Sequence, residues 1–188
     1  MNQRLNDKPC GGNDGQKRGL QKPERLDWRL RRFDELPSRQ LYAILAARLE
    51  VFVVEQNCPY QDLDGLDSIA RHLSAWTSRG ELAAYARILP PETRFEQPSI
   101  GRVLTVFPRR RSGLGIELMH RAIAAAAEAF PGHDVRISAQ RYLQEFYRRL
   151  GFEIDSQPYL EDGIPHVEMQ LPVERARRET NQATDGST

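Results

Sequence analysis

The stretch that most narrows the fold runs from residue 99 to residue 132. It opens with SIGRVLTVF (99–107), apolar and rich in β-branched residues, which predicts a strand. Arg109, Arg110 and Arg111 follow, then Ser112-Gly113-Leu114-Gly115. An alanine-rich run of helical period comes next and stops at Pro131-Gly132, where the backbone can no longer continue a helix. Strand, arginine turn, glycines and helix in this order exclude a purely helical or purely β chain.

The flanking sequence continues the alternation. Leu26, Trp28 and Leu30 recur at period two, as in a strand. A helix is predicted from Pro37-Ser38, with Leu41, Ile44, Leu45, Leu49, Phe52 and Val53 at helical spacing. After the irregular segment 56–67, residues 71–77 and 81–89 form a predicted hairpin around Ser78–Gly80. Beyond Gly132 the pattern gives a strand near 134–139, a short helix near 141–150, and strands near 152–155 and 164–171. The order β-α-β-β-β-α-β-α-β-β around one mixed sheet predicts a single α/β (α+β mixed-sheet) domain. Residues 26–172 make up that domain. Residues 1–25 read as a disordered basic N-terminal tail and 173–188 as a disordered C-terminal tail, since neither has periodicity.

Composition limits the function classes. Hydrophobic residues at 39% permit a core, and 27 basic against 26 acidic residues leave the chain almost neutral. Within 26–173 there are 18 basic and 20 acidic residues, so weak non-specific nucleic-acid binding is expected. Cys10 and Cys58 are too few for a disulfide framework and suggest a reducing, cytoplasmic setting. No apolar run approaches the ~20 residues of a membrane span, and the first 25 residues lack the apolar stretch of a signal peptide.

Chemistry concentrates in Arg110-x-x-Gly113-x-Gly115. Two glycines where a helix begins expose backbone N–H groups at the positive end of its dipole, a site suited to phosphate. Arg109, Arg110 and Arg111 add charge that pairs with phosphate oxygens. The competing reading is a plain strand-to-helix turn with solvated arginines. No Lys-Ser or Lys-Thr follows, so this is not a Walker loop, and the spacing is not that of a Rossmann fingerprint. Asp62, Asp64 and Asp67 do not make an EF-hand, since Asp67 stands at position six and Leu73 at position twelve. These acids read as solvating their loop, with attraction of a cationic acceptor as the alternative. No metal constellation is expected, because the cysteines are far apart and the four histidines are unclustered.

Arg110-Arg111-Ser112-Gly113-Leu114-Gly115 after a strand resembles the acyl-CoA pyrophosphate loop of the GNAT N-acetyltransferases. Phe146-Tyr147-Arg148-Arg149-Leu150-Gly151-Phe152 resembles that family's FYxxxGF segment. VFVVEQNCPYQDLDGLD (51–67), RHLSAW (71–76), AYARIL (84–89), IGRV (100–103) and EDGIPHVEM (161–169) are similar to the ElaA-like branch, a group of bacterial proteins. The resemblance spans roughly 26–171.

It implies a GNAT-type acyl-CoA N-acyltransferase fold with acetyl-CoA as co-substrate and a small-molecule or peptide amine as acceptor. The main chain of Val103, Leu104, Thr105 and Val106 would pair with pantetheine, and Arg109 to Gly115, Leu114 included, would hold the pyrophosphate. Gln140 stands where the family often has an asparagine that touches the pantetheine arm. Tyr147 is the candidate general acid, against a reading as a core aromatic. The strand 99–107 holds no Asp or Glu, so the general base is sought among Glu55, His72 and His166, each of which also has a structural reading. The alternative function is a CoA-binding regulatory module without catalysis. Homodimers are common in the family, and neither nucleic acid nor membrane is an expected partner.

Overall fold

The structure is a computed structural model that describes residues 25–107 and 109–175. The expected tails lie outside the described residues apart from Arg25 and residues 173–175, which begin a helix. The elements are β1 (Asp27–Arg32), α1 (Ser38–Arg48), β2 (Arg71–Trp76), β3 (Leu82–Leu89), β4 (Ser99–Thr105), α2 (Leu114–Ala129), β5 (Val135–Gln140), α3 (Gln144–Arg149), β6 (Glu153–Ile154), β7 (Tyr159–Glu161) and β8 (Ile164–Leu171). They form one mixed sheet in the order β1-β2-β3-β4-β5-β8-β6, with β7 also on β8. This is the α/β mixed-sheet architecture that the sequence predicts.

Every residue of β3 is buried, because helices cover both faces of the sheet there. On one face, Leu118, Met119, Ala122 and Ile123 of α2 pack over Leu73, Ala84, Ala86 and Ile88. On the other, Ile44 of α1 packs with Trp76, Tyr85 and Leu104. The run Ala83-Ala84-Tyr85-Ala86 keeps side chains small on the α2 face, where the helix crosses close to the strands.

The strand β7 is absent from the sequence reading. It pairs with β8 through a two-residue turn, Asp162-Gly163, both at positive φ (51° and 80°). Asp-Gly is the dipeptide that such hairpins favour, so a usable signal was present.

Two irregularities position the functional site. First, β4 and β5 run parallel but pair only at Ser99 and Arg136, then separate toward their C-terminal ends. Second, the pairing of β3 with β4 slips between Tyr85 and Arg87, and Arg102 opposite this slip has φ +52°. An extra residue in one strand bends it and strengthens its twist, which turns β4 away from β5. A non-glycine residue at positive φ persists only where its surroundings hold it.

The surroundings here are ionic. Arg102 donates from Nε to Asp62 at 2.6 Å. Asp62 also accepts from Nε of Arg48, a fully buried residue, at 2.8 Å. Arg48 reaches Asp67 at 2.6 Å, and Arg87 bridges Asp64 at 2.5 Å and Asp67 at 3.1 Å. Three arginines, from α1, β3 and β4, are thus tied to three aspartates of one loop. The expectation that these acids solvate the loop or draw in a cationic acceptor is corrected: their lone pairs are taken by arginines of the fold itself. Removing one partner of a buried pair strands the other charge, so Asp62→Ala should cost about 3–5 kcal/mol in chemical denaturation.

The network also sets an acid limit. Burial opposes ionisation of Asp64, but hydrogen bonds and charge from Arg87 outweigh it and hold the carboxyl at about 2. A depressed folded value means that this stabilisation is complete above the ~3.9 of an unfolded aspartate. It is then lost as pH falls through about 2. Acid unfolding followed by far-UV circular dichroism should lose this component in Asp64→Asn, most visibly between about pH 4 and pH 2.

Candidate active site

The separation of β4 and β5 opens a cleft of about 460 Å³. Its closed end is the Ser99–Arg136 pairing, and its open end faces the loop before α2. Because β5 runs from Arg136 to Gln140, Ser138 lies midway and Gln140 near the opening.

At the open end Gly113 caps α2 with φ +86°, and no side chain caps the first turn. A β-carbon on Gly113 would meet nothing within 4 Å, so backbone geometry is what favours glycine there. Gly115 differs: it lies inside the helix, and an added β-carbon would come no closer than 3.9 Å to Phe146 Cζ. The chain's own packing therefore gives no reason for glycine at 115, whereas a phosphate drawn against the helix N-terminus does. Leu114 between them is buried in the core. The turn itself is ordered by Arg109 N–H donating to the Val106 carbonyl at 2.9 Å and Ser112 Oγ donating to the Arg109 carbonyl at 2.7 Å. Arg111 takes the left-handed conformation, φ +64°.

Arg110 folds back into the cleft. Its Nε donates to the Thr105 carbonyl at 3.0 Å, and Nη2 lies 2.7 Å from Glu55. Glu55 ends a run of wide helical turns, Leu49–Glu55, that extends α1 to the cleft wall. One candidate base is thereby held in an ion pair with the phosphate loop.

Strand parity sorts the four residues of β4. Val106 N–H donates to Ala83 of β3 at 3.1 Å, whereas the Thr105 carbonyl points away from β3 and accepts from Arg110. By alternation Val103 and Thr105 present their main chain to the cleft, while Leu104 and Val106 direct theirs to β3. The sequence expectation that all four offer main chain is narrowed to two.

Tyr147 of α3 lines the cleft at 7% exposure, with its ring edge-on to Phe146 and Phe152. Among the described residues its hydroxyl has no hydrogen-bond partner, and burial pushes the phenol up, so it carries its proton at neutral pH. Packing and cleft exposure coexist in this residue. Gln140 also lines the cleft, and its Nε2 donates to Gln56 Oε1 at 2.8 Å.

The two candidate histidines part company. His72 is fully buried outside the cleft, with Nδ1 2.8 Å from the Tyr85 hydroxyl and Nε2 2.9 Å from the Asp67 carbonyl. Burial pushes its pKa down, and both nitrogens are engaged, which gives it a packing role. His166 lines the cleft on β8, opposite Gln140. Its Nδ1 lies 2.8 Å from the Ile164 carbonyl, which can only accept, so Nδ1 carries the proton and Nε2 holds the lone pair.

Around Ser138 lies a cluster that sequence reasoning missed. Arg94, on the β3–β4 connection, pairs with Glu161 of β7. Glu161 accepts from Ser138 Oγ at 2.8 Å, and Ser138 is 2.6 Å from the Tyr159 hydroxyl. Tyr159 stacks on His166 with ring centres 6.1 Å apart. The Asp162-Gly163 turn delivers both Tyr159 and Glu161 here. Among the described residues no group of His, Cys, Asp and Glu could hold a metal ion.

Comparison with known proteins shows the family of the chain. Residues 41–173 match the family described as acetyltransferase (GNAT) domain. ElaA of Escherichia coli K12 is 42% identical over 153 residues, covering 80% of this chain and 99% of that protein. The chain belongs to the GNAT acetyltransferases, on their ElaA-like branch. A crystal structure of an acyl-CoA N-acyltransferase from Pseudomonas aeruginosa is 46% identical, with TM-score 0.74 over 78% of this chain and 99% of that one. The crystal structure of E. coli ElaA gives TM-score 0.73 at 41% identity, with 78% and 99% covered. The GNAT fold generally uses acyl-CoA.

Gly115→Val tests the phosphate role of the glycine loop. Valine is no worse than glycine inside a helix and its β-carbon has room, so the variant should melt close to wild type. Its branched side chain fills the space against the helix terminus, so calorimetry should show acetyl-CoA binding weakened at least about 10²-fold, the loss of roughly two charge-assisted hydrogen bonds. Unchanged affinity in the folded variant would remove the phosphate role of this loop. Gly113→Val is the poorer probe, because φ +86° strains valine regardless of ligand.

Proposed function

We propose that the protein transfers an acetyl group from acetyl-CoA directly to a primary amine. The observation that carries this reading is the single cleft in which the free edge of β4, the phenol of Tyr147 and the imidazole of His166 converge. Acetyl-CoA supplies an activated thioester, with its pyrophosphate on the glycine loop and its pantetheine arm along Val103 and Thr105.

An amine arrives as an ammonium ion and must lose a proton before it attacks. His166 Nε2 takes that proton and passes it to water. As the nitrogen bonds to the acyl carbon, main-chain N–H groups of β4 stabilise the negative charge that develops on the carbonyl oxygen. The carbon–sulfur bond then breaks. Tyr147 gives its proton to sulfur and recovers one from the nitrogen, leaving amide, thiol and one released proton. Glu55 is less suited to the base role, because Arg110 occupies its oxygens. A cytoplasmic setting fits a substrate of acyl-CoA type.

Steady thiol release from acetyl-CoA that depends on an added amine tests the reading; binding without release would favour a regulatory module instead. Tyr147→Phe keeps the ring and should lower kcat by about 10²-fold, the low end for acid catalysis, because a thiolate is already a fair leaving group. Acetyl-CoA affinity should change far less. His166→Gln should lower kcat/KM by about 10²-fold or more. Wild-type kcat in Tyr147→Phe, measured where chemistry limits turnover, would return that residue to packing alone.

A further inference from the structure

The charged side chains that line the cleft divide into three groups. Arg110 and Glu55 pair at the phosphate end. Arg87 and Arg102 are neutralised by Asp64, Asp67 and Asp62 of the adjoining loop. What is left for an acceptor is one cation and one anion, Arg94 and Glu161, bonded to each other and each about 30% exposed at the side chain. Glu161 is anchored at Ser138, midway along β5, and Tyr159 beside it stacks on His166.

An ion pair in contact is a poor host for a ligand of one sign. A simple amine that binds Glu161 has to displace Arg94 and leave that guanidinium unpaired, and a polyamine adds repulsion. A ligand with an ammonium and a carboxylate a bond or two apart leaves no charge unpaired. Its carboxylate takes the guanidinium of Arg94 in a fork, and its ammonium takes the carboxylate oxygen that Arg94 releases. Glu161 is already aligned for this, because Ser138 Oγ holds its other oxygen and Tyr159 holds Ser138. Phe95 beside Arg94, 5.8 Å from guanidinium carbon to ring centre, supports the arginine from behind.

We infer that the acceptor is a compact amino acid, a free α-amino acid above all, with its carboxylate on Arg94 and its ammonium between Glu161 and His166. This rests on the acyl-transfer reading and specifies its second substrate. The ammonium lies where His166 Nε2 can remove one proton, and the freed nitrogen attacks the thioester as described above.

The experiment is thiol release from acetyl-CoA by the full chain, with the proteinogenic amino acids as acceptors. Each is paired with its decarboxylated amine where one exists, such as histamine, tyramine and cadaverine, and with its methyl ester. The expected result is at least one amino acid whose kcat/KM exceeds that of its decarboxylated partner by about 10²-fold or more, as for a site built to bond a group that the analogue lacks. Arg94→Gln should erase this preference, raising KM for the acid while freeing Glu161 for the simple amine, and Arg94→Lys should restore part of it. A melting curve confirms that the variants are folded. Equal use of amino acid and decarboxylated amine, turnover confined to polyamines or peptides, or a preference that survives Arg94→Gln overturns the inference and leaves acyl transfer intact. Absence of thiol release with every amine overturns acyl transfer and this inference together.

Discussion

The bond between Arg102 and Asp62 holds the feature on which the site depends. Arg102 occupies a backbone conformation that costs an L-residue about 1–3 kcal/mol, and it does so at the bulge that turns β4 from β5. Its guanidinium is fastened to a carboxylate that is itself fastened to buried Arg48 of α1. That anchor helps to hold the strand in its bend, where β4 and β5 pair only at Ser99 and Arg136. The cleft, the exposed edge of β4 and the approach to Tyr147 all follow from this one irregularity. The network is expensive to bury, but each arginine reaches at least one carboxylate at hydrogen-bond distance, which is the condition under which buried charge is tolerated.

The cleft divides its chemistry by position. Near the opening, backbone N–H groups and a glycine without packing cause offer a place for phosphate, while Arg110 ties the loop to Glu55. Midway, Tyr147 is dry enough to keep its proton, and His166 is oriented by a main-chain carbonyl. Around Ser138, Arg94, Glu161 and Tyr159 complete a polar set with balanced charge. Burial opposes ionisation of Glu161, yet the hydrogen bond and charge of Arg94 hold its carboxyl below the usual range, so the anion persists at neutral pH.

Much of this was legible in the residues. Helical spacing from Leu41 to Val53 and from Leu114 onward, the alternation in the strands, and the stop at Pro131-Gly132 are local rules, and the structure follows them. Arg110-x-x-Gly113-x-Gly115 and the FY segment carried the likeness to the GNAT acetyltransferases, whose domain matches residues 41–173. The strand β7 escaped because three residues carry too little periodicity, although Asp162-Gly163 announced its turn. The aspartates of the 58–69 loop were misread because their partners, Arg48, Arg87 and Arg102, lie 14 to 40 residues away along the chain.

By itself the sequence determined the elements, the glycine loop and the family, since these depend on neighbours a few positions apart, on backbone chemistry, and on patterns that hold over the whole domain. Only the tertiary structure decided which groups share the cleft. It separated His166 from His72, gave Glu55 to Arg110, and brought Arg94 against Glu161 across 67 residues. The physical reason is that such contacts are set by sheet order and by where β4 bends, and a bend held by an ion pair between distant segments leaves no periodic trace in the chain.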